Sequence, residues 1–169
     1  DMLLELLPEA QNVGILYCSA EANSVYQADV VKAALEEKGV TVTVYTFADS
    51  NDVATVTQTA CAENDALYIP TDNTAASCTE AINNVAEPAG VPIVAGEEGI
   101  CKGCGIATLS IDYYELGKTT GAMAAKILTG EANVSEMPIE YYQNPVKKYD
   151  VARCEALGIT VPADYVAIG

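Results

Sequence analysis

The sequence predicts an α/β fold built around a parallel, doubly wound sheet. Short apolar runs alternate with longer segments of helical periodicity over most of the 169-residue chain. Within each run the apolar residues are consecutive, which is typical of strands that are buried on both faces. Because helix-length segments join successive runs, the strands are expected to lie parallel, with helices on both faces of the sheet.

The elements are expected in a regular order. Asp1–Leu7 is typical of the end of an amphipathic helix stopped by Pro8, and a chain that starts within such a pattern is expected to be a fragment. The expected strands are Val13–Tyr17, Val40–Tyr45, Ala66–Ile69, Val91–Ala95 and Ile106–Ile111. The expected helices are at about Asn23–Lys38, 50–64, Asn73–Ala86 and Tyr114–Leu128. Gly39 and Gly130 end the first and the last of these helices.

The pattern changes after residue 130. Glu131–Pro138 is a polar connection, and Ile139–Tyr142 is a predicted strand. Asp150 is expected to cap a short helix that ends at Leu157. The tail Ile159–Gly169 contains a proline and is expected to be irregular.

Composition and charge exclude several classes of function. With 24 acidic and 8 basic residues the net charge is −16, and Arg153 is the single arginine, whereas a nucleic-acid-binding protein needs a basic surface. The chain contains no histidine, which removes Ser-His and Cys-His catalytic pairs and the commonest zinc ligand. No glycine-rich phosphate loop joins a strand to a helix. We therefore expect no cofactor, no metal site and no catalytic residues.

The cysteines are scattered along the chain. Cys61, Cys78 and Cys154 fall in predicted helices and are expected to be buried and unreactive. Cys101 and Cys104 form a C-x-x-C pair in a predicted glycine-rich loop and are expected to be the more accessible thiols. An enzyme that uses one of them as its nucleophile is disfavoured, since the chain offers no histidine as a base.

Polar side chains gather in the loops that follow four of the predicted strands. In a parallel doubly wound sheet such loops meet at the carboxyl edge, where ligands bind near the topological switch point. The candidate ligand-binding residues are Ser19, Glu21, Asn23, Ser24, Thr71, Asp72, Asn73, Thr74, Glu97, Asp112 and Tyr113. For any single loop an ordinary helix cap is the favoured interpretation, so the functional one rests on the convergence of all four loops.

The mixture of groups on this edge predicts the charge of the ligand. Free amides at helix starts, together with hydroxyl and amide side chains, suit a carboxylate. The expected donors to an α-carboxylate are Asn23, Ser24, Asn73 and Thr74. The candidates to accept from an α-ammonium are Asp72, Glu97 and Asp112. An edge with both kinds of group matches a zwitterion such as a free amino acid.

Seven segments, taken in order, resemble a known family. They are Asn12–Tyr17, Glu21–Ser24, Tyr68–Thr74, Ala95–Gly99, Ile111–Gly117, Ala124–Leu128 and Ala156–Ile159. Together they resemble the ABC-transporter substrate-binding proteins of the tryptophan/tyrosine type, a branch of the type I periplasmic-binding-protein fold. The motifs T-D-N-T, A-G-E-E-G and I-D-Y-Y-E-L-G in this order carry most of the specificity.

The resemblance implies two similar α/β lobes that close on a ligand, in a protein of about twice this length. Residues 1–111 match the second, ligand-binding lobe, and residues 112–169 match the crossover helix, strand and C-terminal return segment of the inter-lobe region. Asp112 is the favoured acceptor for the ammonium because it stands where the chain crosses between lobes, and Tyr113 is the nearest aromatic wall.

The resemblance also implies a role and partners. It implies an extracytoplasmic solute-binding lipoprotein that binds a small zwitterion, an aromatic amino acid, and delivers it to the membrane permease of an ABC importer. The surface of the Tyr114–Leu128 helix, left without a first lobe, is expected to allow self-association. Two other functions stay open, the effector-sensing core of a transcription regulator and a cysteine-dependent enzyme. An upstream signal peptide with a lipid-anchored cysteine, or an upstream DNA-binding domain, would distinguish the receptor from the regulator.

Overall fold

The computed structural model describes residues 1–168, which form seven strands and eight helices. The strands are β1 (Asn12–Cys18), β2 (Thr41–Phe47), β3 (Ala66–Ile69), β4 (Ile93–Ala95), β5 (Ala107–Ser110), β6 (Val146–Tyr149) and β7 (Val166–Ala167). The helices are α1 (Met2–Leu6), α2 (Ala22–Glu36), α3 (Val53–Glu63), α4 (Asn73–Ser77), α5 (Thr79–Ala89), α6 (Glu98–Cys104), α7 (Tyr113–Leu128) and α8 (Val151–Ala156).

The strands form one sheet in the order β2-β1-β3-β4-β5-β6-β7. The first five strands are parallel to one another, which confirms the prediction of an α/β fold with a parallel sheet. β6 then runs antiparallel to β5, and β7 pairs in parallel with β6. In this order the connections reverse direction between β1 and β3, and the carboxyl ends of these two strands flank the topological switch point.

The core lies on both faces of the sheet, which explains why the strands are apolar at consecutive positions. In β1, Val13 and Ile15 pack under α1, α2 and α8, whereas Leu16 packs with the helices from α3 to α6 on the other face. Six of the seven residues of β1 are buried. Burial of this kind stabilises by about 25 cal/mol for each Å² of apolar surface removed from water.

The region from Gly96 to Gly105, which was predicted to be a loop, contains helix α6. Glu97 caps α6 by accepting from the backbone N–H groups of Gly99 and Ile100. The cap and the burial of the apolar face outweigh the poor helix propensity of glycine. Gly103 has a packing reason to be there, since a Cβ at this position would lie 2.3 Å from the Cβ of Thr79.

The C-terminal region differs from the sequence prediction in two ways. The predicted strand at Ile139–Tyr142 is absent, and β6 lies at Val146–Tyr149 instead. β6 occupies the position beside β5, although its two lysines are not typical of a strand. Ile139 and Tyr141, in the predicted strand, are largely exposed. The tail is also not wholly irregular, because Val166–Ala167 forms β7; Gly169 lies outside the described residues.

Two further features of the fold concern its helices. The helix predicted at Asn73–Ala86 is split into α4 and α5 at Cys78. The 16 residues of α7 include none that is buried, so this helix is packed less completely than the others. The structure therefore leaves one long helix with a largely exposed surface.

Arg153, the single arginine, joins α8 to the C-terminus of α6. From α8 its guanidinium donates to the carbonyl of Gly103 at 2.8 Å and to that of Lys102 at 3.2 Å. It also contacts the carboxylate of Asp150 at 2.9 Å and the amide oxygen of Asn83 at 3.2 Å. The positive charge thus satisfies carbonyls at the C-terminus of α6, where a cation is favoured.

Candidate functional site

Loops from both sides of the topological switch point are joined by hydrogen bonds at the carboxyl edge of the sheet. Glu21, which precedes α2, reaches the start of α4, 52 positions further along the chain. One of its carboxylate oxygens accepts from the backbone N–H and the side-chain Nδ2 of Asn73, at 2.9 and 3.0 Å. The other accepts from the backbone N–H and the hydroxyl of Thr74, at 2.8 and 2.9 Å.

These four hydrogen bonds determine the ionisation of Glu21. Partial burial opposes the charged form, but the four donors outweigh it and hold the pKa of Glu21 below its ordinary value. Glu21 is therefore an anion at neutral pH. It occupies the donors of Asn73 and Thr74 that the sequence assigned to the ligand's carboxylate.

Asp72 and Ser24 lie beneath the edge. Asp72 is 1% exposed and Ser24 is fully buried. One carboxylate oxygen of Asp72 accepts from the backbone N–H of Cys18 at 2.8 Å and from the Ser24 hydroxyl at 2.7 Å. The other caps α4 by accepting from the N–H of Ala75 at 2.8 Å. Both oxygens are thus bound within the protein, and they tie the end of β1 to the start of α4.

The loop after β3 is held from two sides. The carbonyl of Thr71 accepts from Asn23 Nδ2 at 2.7 Å, and the N–H of Thr71 donates to Gln27 at 3.1 Å. The backbone of the next loop approaches so closely that a Cβ on Gly96 would lie 2.6 Å from the Thr71 nitrogen. Gln27 was missed by the sequence analysis, although it lies one helical turn after Asn23 on the same face of α2.

Three of the remaining predicted residues are exposed or half-buried at the surface of the edge. Ser19 is exposed and its hydroxyl donates to the carbonyl of Phe47 at 3.3 Å. Glu97 caps α6. Asp112 caps α7, with one oxygen accepting from the N–H groups of Tyr114 and Glu115 at 2.9 and 3.1 Å. Unlike Asp72, Asp112 is exposed.

A cavity of about 330 Å³ lies beside Asp112. It is lined by Glu98, Ser110, Ile111, Asp112, Tyr113, Tyr142, Val146 and Lys148. Partial burial and the nearby charge of Glu97 raise the pKa of Tyr113. Tyr142 gives the cavity a second aromatic wall, and the sequence analysis missed it because this residue was assigned to a strand.

The cysteines do not form an accessible reactive pair. Cys101 is fully buried and Cys104 is 3% exposed, so the prediction that these were the accessible thiols is wrong. Burial raises the pKa of Cys104 to about 12, which removes the thiolate that a nucleophile needs. Cys61 and Cys154 are buried as expected, whereas Cys78 is only half-buried. All six thiols are free.

Residues 1–168 lack two further features. Over this range no three or more acidic or cysteine side chains come together in a way that could hold a metal ion. None of the helices there combines the length and the apolar character that crossing a membrane requires.

Comparison with known proteins identifies relatives over nearly the whole chain. A family model described as ABC transporter substrate binding protein matches residues 1–167. A tyrosine-binding protein of Clostridioides difficile (strain R20291) is 30% identical over 139 residues, which cover 82% of this chain and 40% of that protein.

Solved structures agree in fold. An ABC domain from Streptococcus pneumonia in complex with L-Trp is 28% identical with a TM-score of 0.87, covering 96% of this chain and 55% of that one. A conserved domain protein from Vibrio cholerae is 28% identical with a TM-score of 0.89, covering 98% and 57%. A ligand-free, open substrate binding protein with adhesive properties from Clostridium difficile is 31% identical with a TM-score of 0.78, covering 99% and 58%. This chain thus spans about half the length of these relatives.

Proposed function

Because this chain belongs to the ABC transporter substrate-binding protein family, we propose that it forms the ligand-binding half of an extracytoplasmic receptor for an aromatic amino acid. The receptor delivers its ligand to the membrane permease of an ABC importer and has no catalytic role. The tyrosine-binding relative and the neighbour in complex with L-Trp support this ligand class. The family match favours this role over that of the effector-sensing core of a transcription regulator.

One structural observation carries the proposal. The polar loops that follow β1, β3, β4 and β5 all lie at one edge of the sheet, at and beside the topological switch point. Buried Asp72 and half-buried Glu21 fix the loops that they join. A rigid, polar edge of this kind suits a small ligand that is held by a few defined hydrogen bonds.

We assign the ligand's α-ammonium to Asp112. Its carboxylate is exposed and uses one oxygen for the cap of α7, which leaves the other for a ligand. Tyr113, which follows Asp112, supplies an apolar wall for an aromatic side chain. Residues 1–111 then form the ligand-binding lobe, and residues 112–169 form the inter-lobe region.

The exposed face of α7 is where we propose that the other half of the receptor packs. Spacings of three and four residues place Tyr114, Gly117, Gly121, Ala124 and Leu128 on this face. Tyr114 is 75% and Leu128 is 87% exposed, and a Cβ on either glycine would meet no atom within 4 Å. Without a covering lobe this face should lead the 169-residue chain to self-associate, which sedimentation equilibrium would detect.

Calorimetric titration with each of the twenty amino acids tests the proposed function. The titration should use the natural-length protein. We expect saturable binding of L-tryptophan or L-tyrosine and none of the acidic or basic amino acids. Absence of binding by every aromatic amino acid would overturn the proposal.

A further inference from the structure

The hydrogen bonds of Glu21 reverse the polarity that the sequence suggested for the start of α4. A carboxylate can only accept hydrogen bonds, so the side chain of Asn73 must turn its nitrogen, not its oxygen, toward Glu21. The distance of 3.0 Å from Nδ2 to the carboxylate shows this arrangement. The amide oxygen Oδ1 is consequently directed away from Glu21, and Asn73 is exposed.

Four donors at the start of α4 are used within the protein. Both backbone N–H groups, the Asn73 amide nitrogen and the Thr74 hydroxyl donate to the same carboxylate. To reach these donors, a ligand carboxylate would have to displace the Glu21 carboxylate from four short hydrogen bonds. If Glu21 stayed in place, its negative charge would repel the ligand carboxylate. At the start of α4, Asn73 Oδ1 therefore remains available to a ligand as an acceptor.

From this geometry, and resting on the proposed function, we infer that Asn73 Oδ1 accepts a hydrogen bond from the polar group of the ligand's aromatic ring. That group is the phenol O–H of tyrosine or the indole N–H of tryptophan. Glu21 is a positioning residue, because it fixes the orientation of the Asn73 amide without contacting the ligand. The negative charge of Glu21 also polarises the amide and makes its oxygen a better acceptor.

The positions of the loops after β3 and β5 support the inference that Asn73 contacts the ligand's aromatic ring. Asn73 follows β3 and Asp112 follows β5, two strands away across the sheet, a separation of roughly 10 Å. A ligand whose ammonium lies at Asp112 extends its side chain along the edge toward β3. A site that hydrogen-bonds a ring donor rejects the analogue that lacks it, because the acceptor is then left without a partner.

The inference predicts selectivity for tyrosine or tryptophan over phenylalanine. Calorimetry on the natural-length protein should show at least a tenfold weaker affinity for L-phenylalanine than for the preferred ligand. In Asn73→Leu this ratio should fall below threefold, with the affinity for L-phenylalanine unchanged. Glu21→Gln should reduce the ratio in the same direction, because its amide no longer forces the orientation of Asn73. Glu36→Gln, which removes a charge from an exposed position on the same helix, should leave the ratio as it is.

The other outcomes separate two kinds of failure. If no aromatic amino acid binds the wild-type protein, the proposed function fails. If Asn73→Leu weakens all three ligands equally, Asn73 contacts a group that they share, and the inference fails while the proposed function stands. If Glu21→Gln tightens binding of all three, the start of α4 receives the ligand's carboxylate after displacing Glu21, and the inference is again overturned.

Discussion

Replacing Asp72 by asparagine should lower the free energy of unfolding by about 3 kcal/mol, because the asparagine amide cannot satisfy the three donors around it. Two of these donors, Cys18 N–H and the Ser24 hydroxyl, share one oxygen, and Ala75 N–H uses the other. In Asp72→Asn one of the two oxygens becomes an NH₂ group that faces a buried N–H. An unpaired buried donor costs about 1–3 kcal/mol, and the loss of charge weakens the hydrogen bonds that remain.

Asp112→Asn is the matched control. One oxygen of Asp112 accepts both capping hydrogen bonds, and an asparagine can keep both with its amide oxygen. Asparagine is also an effective N-cap, so stability should change by less than about 0.5 kcal/mol. Ligand binding should nevertheless weaken by about 1–3 kcal/mol, since a partner of the ligand's ammonium has been removed.

Urea unfolding of the two variants, with calorimetry on the folded proteins, measures both effects. A loss of stability below about 1 kcal/mol in Asp72→Asn would refute the assignment of Asp72 to the framework of the edge. Equal losses of stability in the two variants would show that burial does not distinguish their roles.

Three further predictions concern stability and reactivity. Thr108 has a fully buried hydroxyl without a hydrogen-bond partner among the described residues. Thr108→Val should therefore leave the free energy of unfolding unchanged or raise it by about 1 kcal/mol, as measured by urea unfolding. A decrease of about 1 kcal/mol would contradict this prediction. The hydrogen bond from Lys147 lowers the pKa of Glu5 below its ordinary value. The stability that this ion pair contributes is present above the ordinary pKa and is lost as the pH falls through the lowered one. Stability against urea should therefore depend less steeply on pH in Lys147→Met than in the wild type over the acidic range in which Glu5 titrates, and an unchanged pH dependence would contradict this. Thiol labelling of the folded protein should modify half-buried Cys78 before Cys104, whose pKa is raised to about 12 by burial, and the reverse order would contradict the structure.

The parallel sheet could be predicted from the sequence because β1, β3 and β4 are buried on both faces. Consecutive apolar residues in β1 and β3 carry that information locally. β6 carries no such signal, because it is a half-exposed strand with two lysines whose position depends on pairing with β5. The neighbouring Ile139–Tyr142 has the composition of a strand but no partner, and composition alone cannot supply one.

The candidate site was predictable as a region but not residue by residue. Ser24 and Asp72 have the same side chains as ordinary surface caps, and only the fold shows that they are buried against Cys18. The contact of Glu21 with Asn73 spans 52 positions and leaves no trace in local pattern. The burial of Cys101 likewise depends on α6, a helix that its glycines concealed.

A crystal structure of the natural-length protein with L-tryptophan or L-tyrosine bound would test the central claim most directly. We predict that the ligand lies at the carboxyl edge of the sheet, with its ammonium at Asp112, its ring beside Tyr113 and the polar group of the ring at Asn73. Glu21 should remain bound to the start of α4. A ligand found away from this edge, for example in the cavity between α5 and α8, would contradict the account.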